Sequence, residues 1–109
     1  MREIKFNFYN TRTQKYITWD ESNAAMLMCA FYTHEHLKFL QYTGLKSIDN
    51  QEIFDGHILQ DDEGYKWVVK YKNGAFMAEC GDLMAEQLLN TVNLYCKVIG
   101  NIYEHSELL

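Results

Sequence analysis

His34-Glu35-His36 sets two histidines around a glutamate. On a strand, residues two apart share a face, so both imidazoles could meet one metal ion. A third ligand would have to come from Cys29, His57 or a carboxylate, and no spacing fixes one. A solvated segment without metal is the expected reading. Asp61-Asp62-Glu63, with Asp55 shortly before it, is a second group. Paired acids can move protons or hold a divalent ion. Consecutive acids ahead of Gly64 more simply make a solvated turn, and Asp55, Asp61, Asp62 and Glu63 could cluster around one hairpin as a charged face for a basic partner. Lys66, Lys70 and Lys72 form a third group, interleaved with Tyr65, Trp67 and Tyr71. Cations beside stacking aromatics can bind single-stranded nucleic acid. On a strand, however, the lysines and the aromatics point to opposite sides, and core against solvent is the simpler account.

Other chemistry finds little support. Ser22, Ser47 and Ser106 lie in turn or cap contexts, outside any Gly-x-Ser-x-Gly elbow. A cysteine nucleophile needs a nearby base and a lowered pKa. Cys29 and Cys96 read as core residues and Cys80, beside Gly81, as the exposed one. His57 is expected on the surface of a strand, and His105 in an exposed tail without a specific role. Single glycines at turns give neither a phosphate loop nor a dinucleotide motif. No enzyme activity, cofactor or metal is expected.

The elements that carry these groups are mainly strands. Ile4, Phe6 and Phe8 alternate with polar residues, which predicts a half-buried strand over about Glu3 to Tyr9. Tyr16, Ile17 and Trp19 predict its hairpin partner. Capping residues before Ala24 predict a helix from Ala24 to Tyr32. Period two returns at Leu37, Phe39 and Gln41, with a loop expected from Gly44 to Gln51. Strands follow over Gly56 to Asp61, Tyr65 to Tyr71 and Ala75 to Glu79, the last two joined at Asn73-Gly74, the strongest short hairpin signal. Leu83 to Val92 reads as a short helix capped by Asp82, Leu94 to Tyr103 as a closing strand, and Glu104 to Leu109 as a tail or single helical turn. The fold class is mainly β with one or two short helices (α+β), rolled into a small SH3-like barrel or antiparallel sheet.

Composition sets the outer limits. The 109 residues make one domain, 1–109, with an N-terminal hairpin and helix over 1–42, a barrel-like core over 52–103 and a tail over 104–109. Apolar residues at 48% exclude a disordered chain, and a formal charge of −5 gives little means of neutralising phosphates broadly. An odd number of cysteines, the 3 present, argues for a reducing compartment, and no leader or membrane span is expected; the cytoplasm is the natural location.

Three stretches carry a family likeness. They are Met1-Arg-Glu-Ile-Lys-Phe6, then Gln41-Tyr-Thr-Gly-Leu-Lys46 with Gln51-Glu-Ile-Phe-Asp-Gly-His-Ile58, then Val98-Ile-Gly-Asn-Ile-Tyr-Glu-His-Ser-Glu-Leu-Leu109. In this order they resemble the YopX family of small bacteriophage and prophage proteins. The resemblance implies a β-rich fold with a small barrel, and it supplies no catalytic or binding residues. His57 stands where the family pattern carries Asp, Ser106 where it carries proline, and Asn7-Phe8 replaces a stretch that often reads Arg-Ala-Trp. The expected function is that of a non-enzymatic phage accessory protein that binds a macromolecule, above all a protein of host or phage, with self-association into a homo-oligomer also in view. A sharper alternative is an anti-defence inhibitor, an acidic anti-CRISPR-like mimic of nucleic acid aimed at a host nuclease complex. A further alternative is a nucleic-acid-binding regulator using Lys66, Lys70 and Lys72.

Overall fold

The structure, a computed structural model, describes residues 4–19 and 36–109. The expected Ala24–Tyr32 helix, together with Cys29, His34 and Glu35, lies outside the described residues.

Alternating burial produces the first sheet. Strand β1 (Phe6–Asn10) pairs antiparallel with β2 (Lys15–Ile17) and with β3 (Leu37–Lys46). Phe8 is fully buried, and Phe39 meets it edge to face at 4.9 Å. Strand β4 (Glu52–Phe54) completes the order β2-β1-β3-β4. The sequence places a loop from Gly44 onward, whereas β3 continues to Lys46. Its register with β4 shifts between Tyr42 and Lys46, so Gly44 sits within a bulge, and only Ser47 to Gln51 turns.

The second sheet has the order β8-β7-β6-β5-β9. It comprises β5 (His57–Gln60), β6 (Lys66–Lys72), β7 (Ala75–Cys80), β8 (Ala85–Leu88) and β9 (Lys97–Asn101). The β6–β7 hairpin turns at Asn73 and Gly74, both at positive φ (53° and 84°), as the sequence predicts. Ile53, Leu59, Trp67, Val69 and Ala78 form the core between the sheets with Leu89, Val92 and Cys96. The described residues thus form a mainly β fold of two antiparallel sheets, one rolled as a half-barrel, with a single short helix.

That helix, α1 (Leu89–Val92), corrects the expected Leu83–Val92 helix. Residues from Ala85 to Leu88 pair with β7 instead, Cys80 against Ala85 and Met77 against Leu88. Met84 takes φ 48° to close the hairpin. Good helix formers lose here because sheet pairing outweighs a weak local propensity. Tyr9 and Tyr103 stack at 4.7 Å and tie the first sheet to the turn after β9.

Candidate functional site

The acidic turn is built around one residue. Asp61 Oδ1 accepts the backbone N–H groups of Glu63 (3.0 Å) and Tyr65 (2.9 Å), and Oδ2 accepts the Trp67 indole N–H at 3.1 Å. Asp61 is therefore committed to shaping the turn. Asp62 and Glu63 are exposed and have no ion-pair partner among the described residues. Asp55 does not join them. Asp55 lies in the turn before strand β5 and Asp61 just after it, and the strand, about 10 Å long, holds them at opposite ends. Asp55 is half-buried, and burial raises its carboxyl above the usual range.

The field of the turn falls on an apolar pair. Leu94 is 72% exposed and Tyr95 40% exposed, in the single 3-10 turn that follows α1. Burial, then Cys96, then Asp61, Asp62 and Glu63 push the Tyr95 hydroxyl up. Burial chiefly, with Asp61 and Asp62 adding to it, lifts the Cys96 thiol to about 11. Strands β5 and β9 pair at Gln60 and Lys97, so the acidic turn after β5 and the exposed pair before β9 lie at the same end of the sheet. Sequence patterning placed Leu94 and Tyr95 inside a strand and did not single them out. An apolar pair beside a helix end was the only available signal.

The lysine strand is already occupied. Lys70 contacts Glu79 at 3.1 Å, and Lys72 contacts Glu79 at 3.5 Å and Glu86 at 2.8 Å. The hydrogen bond from Lys72 to Glu86 raises the Lys72 ammonium, and that from Lys70 lowers the Glu79 carboxyl. Lys66 lies in a groove with Val68, Ile102 and Leu109. Trp67 and Val69 are buried on the opposite face, as alternation requires, while Tyr71 near the hairpin end is 56% exposed.

Three expectations need correction. His57 is not on the surface. It is 8% exposed because Phe54 covers it edge to face, and its Nδ1 accepts the Phe54 N–H at 3.0 Å. Burial holds its imidazole down at about 4. Cys80 is 2% exposed, since β8 covers the strand end that Gly81 was expected to open. His105 has a specific role: its Nδ1 accepts the Asn101 N–H at 3.1 Å and its ring packs over Gly100. His36 is exposed, and no set of three metal-ligating residues converges among the described residues. No helix among them is long and apolar enough to cross a membrane.

Comparison with known proteins follows the same outline. No curated protein matches this chain. The X-ray crystal structure of YopX from Bacillus subtilis is similar, with a TM-score of 0.64 at 15% identity, over 100% of this chain and 99% of that one. At that identity the likeness carries the fold alone. The family model described as YopX protein matches residues 2–109, and the chain therefore belongs to the YopX family.

Proposed function

We propose that this protein acts by binding another protein through the corner formed by Asp62, Glu63, Leu94 and Tyr95. YopX is not a known enzyme family. The observation that carries the reading is that β5 and β9 pair at Gln60 and Lys97, which sets the unpaired acids after β5 and the exposed apolar pair before β9 at the same end of the second sheet. Charge selects the partner and steers its approach, while the apolar pair supplies area to bury. The partner this chemistry fits presents cations around an apolar patch. The nucleic-acid groove of a host nuclease complex is such a surface, which makes an anti-defence role for a phage protein in the host cytoplasm the specific form of the proposal. The nucleic-acid alternative is weaker, because Glu79 and Glu86 already neutralise Lys70 and Lys72.

The test compares wild type with the Asp62→Asn/Glu63→Gln/Tyr95→Ser variant as baits in bacterial lysate at physiological salt, with circular dichroism confirming equal folding. A protein retained by the wild type and lost by the variant supports the reading. Equal retention by both, or none by the wild type, overturns it.

A further inference from the structure

A cavity of about 210 Å³ opens where the first sheet meets the start of the second. Its walls include Asn7 and Tyr16 from β1 and β2, Trp19 beyond them, Glu52 and Phe54 from β4, and His57 from β5. It lies at the far end of β5 from the acidic turn, so it is independent of the proposed contact surface.

The polar groups here are arranged as donors. His57 uses Nδ1 to accept the Phe54 N–H, which fixes its proton on Nε2. Nε2 has no partner among the described residues. Every enclosed side-chain nitrogen and oxygen among them does have one. Nε2 is therefore not enclosed by protein, and since His57 is more than nine-tenths buried and lines the cavity, its N–H faces that space. The Tyr16 hydroxyl accepts from Asn7 Nδ2 at 3.0 Å, which leaves its own proton to donate. Burial keeps both groups neutral, with Tyr16 pushed up to about 12 and His57 down to about 4. Glu52 stands at the cavity as an acceptor, with one carboxylate oxygen on Lys5 and the other left over. Trp19 and Phe54 add aromatic surface.

We propose that this cavity binds a small, neutral, planar heterocycle that both accepts and donates hydrogen bonds, the chemistry of a nucleobase. Its acceptor atoms meet the His57 Nε2–H and the Tyr16 O–H, and its amino or imino donor meets Glu52. An anionic ligand is disfavoured, because no uncompensated cation stands among the described lining residues. Size points the same way: drug-sized ligands fill roughly 300–1,000 Å³, so a single ring system fits while a sugar or phosphate remains outside.

The test is a titration of the full chain with adenosine, guanosine, cytidine and uridine, with ribose and inorganic phosphate as controls. It is followed through the Phe54 backbone amide and the His57 ring signals by NMR. Saturable shifts with at least one nucleoside and with neither control are expected. Two substitutions separate the two ring nitrogens. His57→Asn keeps an acceptor for the Phe54 N–H and loses the Nε2 donor, so affinity should fall at least tenfold while the fold survives. His57→Gln keeps a donor at the Nε2 position and should bind within a fewfold of wild type. Tyr16→Phe, which deletes only the second donor, should weaken binding as well and covers the case in which His57→Asn does not fold. No saturable shift with any nucleoside, equal shifts with ribose or phosphate, or undiminished binding in both His57→Asn and Tyr16→Phe would overturn the proposal.

Discussion

Replacing Asp61 with alanine separates a structural acid from a functional one. The substitution removes the acceptor of two backbone N–H groups and of the Trp67 indole N–H. Hydrogen bonds to a charged group contribute about 1.5–3 kcal/mol each. The two backbone donors lie in an exposed turn where water replaces the carboxylate at small cost. Trp67 is 3% exposed, so its N–H loses its partner with little access to solvent. The sum is about 2–4 kcal/mol, which at about 4–8 °C per kcal/mol for a domain near this size lowers Tm by about 8–30 °C. Asp61→Asn should cost roughly half as much. Its oxygen still receives both backbone donors, but its amide then faces the indole donor to donor. Asp62→Asn and Glu63→Gln should stay within about 0.5 kcal/mol of wild type, as free surface positions do. Urea unfolding followed by tryptophan fluorescence reads all four. An Asp61→Ala midpoint indistinguishable from wild type would refute this account and return Asp61 to the free charges of the turn.

Other outcomes follow from packing and charge. Gly100→Ala places a Cβ 2.7 Å from His105 Nδ1, and should cost about 1–3 kcal/mol by overpacking; His105→Ala in the same chain should recover part of the loss, so additive losses in urea unfolding would rule out the clash. His57 is neutral in the fold down to about pH 4, whereas the unfolded imidazole protonates near 6.5, so its contribution is complete above 6.5 and is lost as pH falls toward 4. Between pH 7 and 5 this amounts to about 2 kcal/mol. Asp55, raised by burial, acts in the opposite sense, so the contribution is read as the difference between wild type and His57→Asn; identical losses in the two would refute it. Cys80 and Cys96 should resist a thiol reagent in the native state and react on unfolding; native labelling at either would contradict their burial. Glu79→Gln/Glu86→Gln frees Lys70 and Lys72, and should give salt-sensitive retention of single-stranded DNA in a gel shift that the wild type lacks; equal behaviour of both proteins would show that the ion pairs do not control the lysine face.

What could be read from the chain was what a single strand or turn decides. The Asn73-Gly74 hairpin, the inward Trp67 and Val69, and the outward lysines all follow from period two and turn geometry. What could not be read depends on neighbours distant in sequence. The segment Ala85 to Leu88 has helical composition, and only the open edge of β7 makes it a strand. His57 has a polar side chain on a short strand, and its burial comes from Phe54, placed by the turn between β4 and β5. Asp55 and Asp61 look close enough in sequence to share a hairpin, yet strand β5 holds them apart. Asp61 itself looked like one free acid among several, because a side-chain hydrogen bond accepted from the Trp67 indole leaves no periodic trace.

The stretches that mark the family turn out to be joints. Within Gln41 to Lys46, the Gln41 carbonyl accepts the Asp55 N–H at 2.9 Å, and the Thr43 hydroxyl donates to the Ile53 carbonyl at 2.8 Å, so the two central stretches hold each other. In the last stretch, Asn101 Oδ1 accepts the N–H groups of Tyr103 (3.0 Å) and Glu104 (2.9 Å), while His105 closes over Gly100. Gly56, at φ 84°, lets Tyr103 approach within 3.0 Å of where a Cβ would stand, which joins the middle of the chain to its end. Residues with such duties specify architecture, and a likeness built on them transmits the fold without an activity. Specificity must then reside in side chains that the joints position but do not employ. His57 fits that description. One ring nitrogen serves the Phe54 amide and the other is left over. An acid at this position could accept the same N–H but would bring a charge into a buried site. The imidazole adds a neutral donor directed into the cavity, and that difference is where binding particular to this protein should be sought.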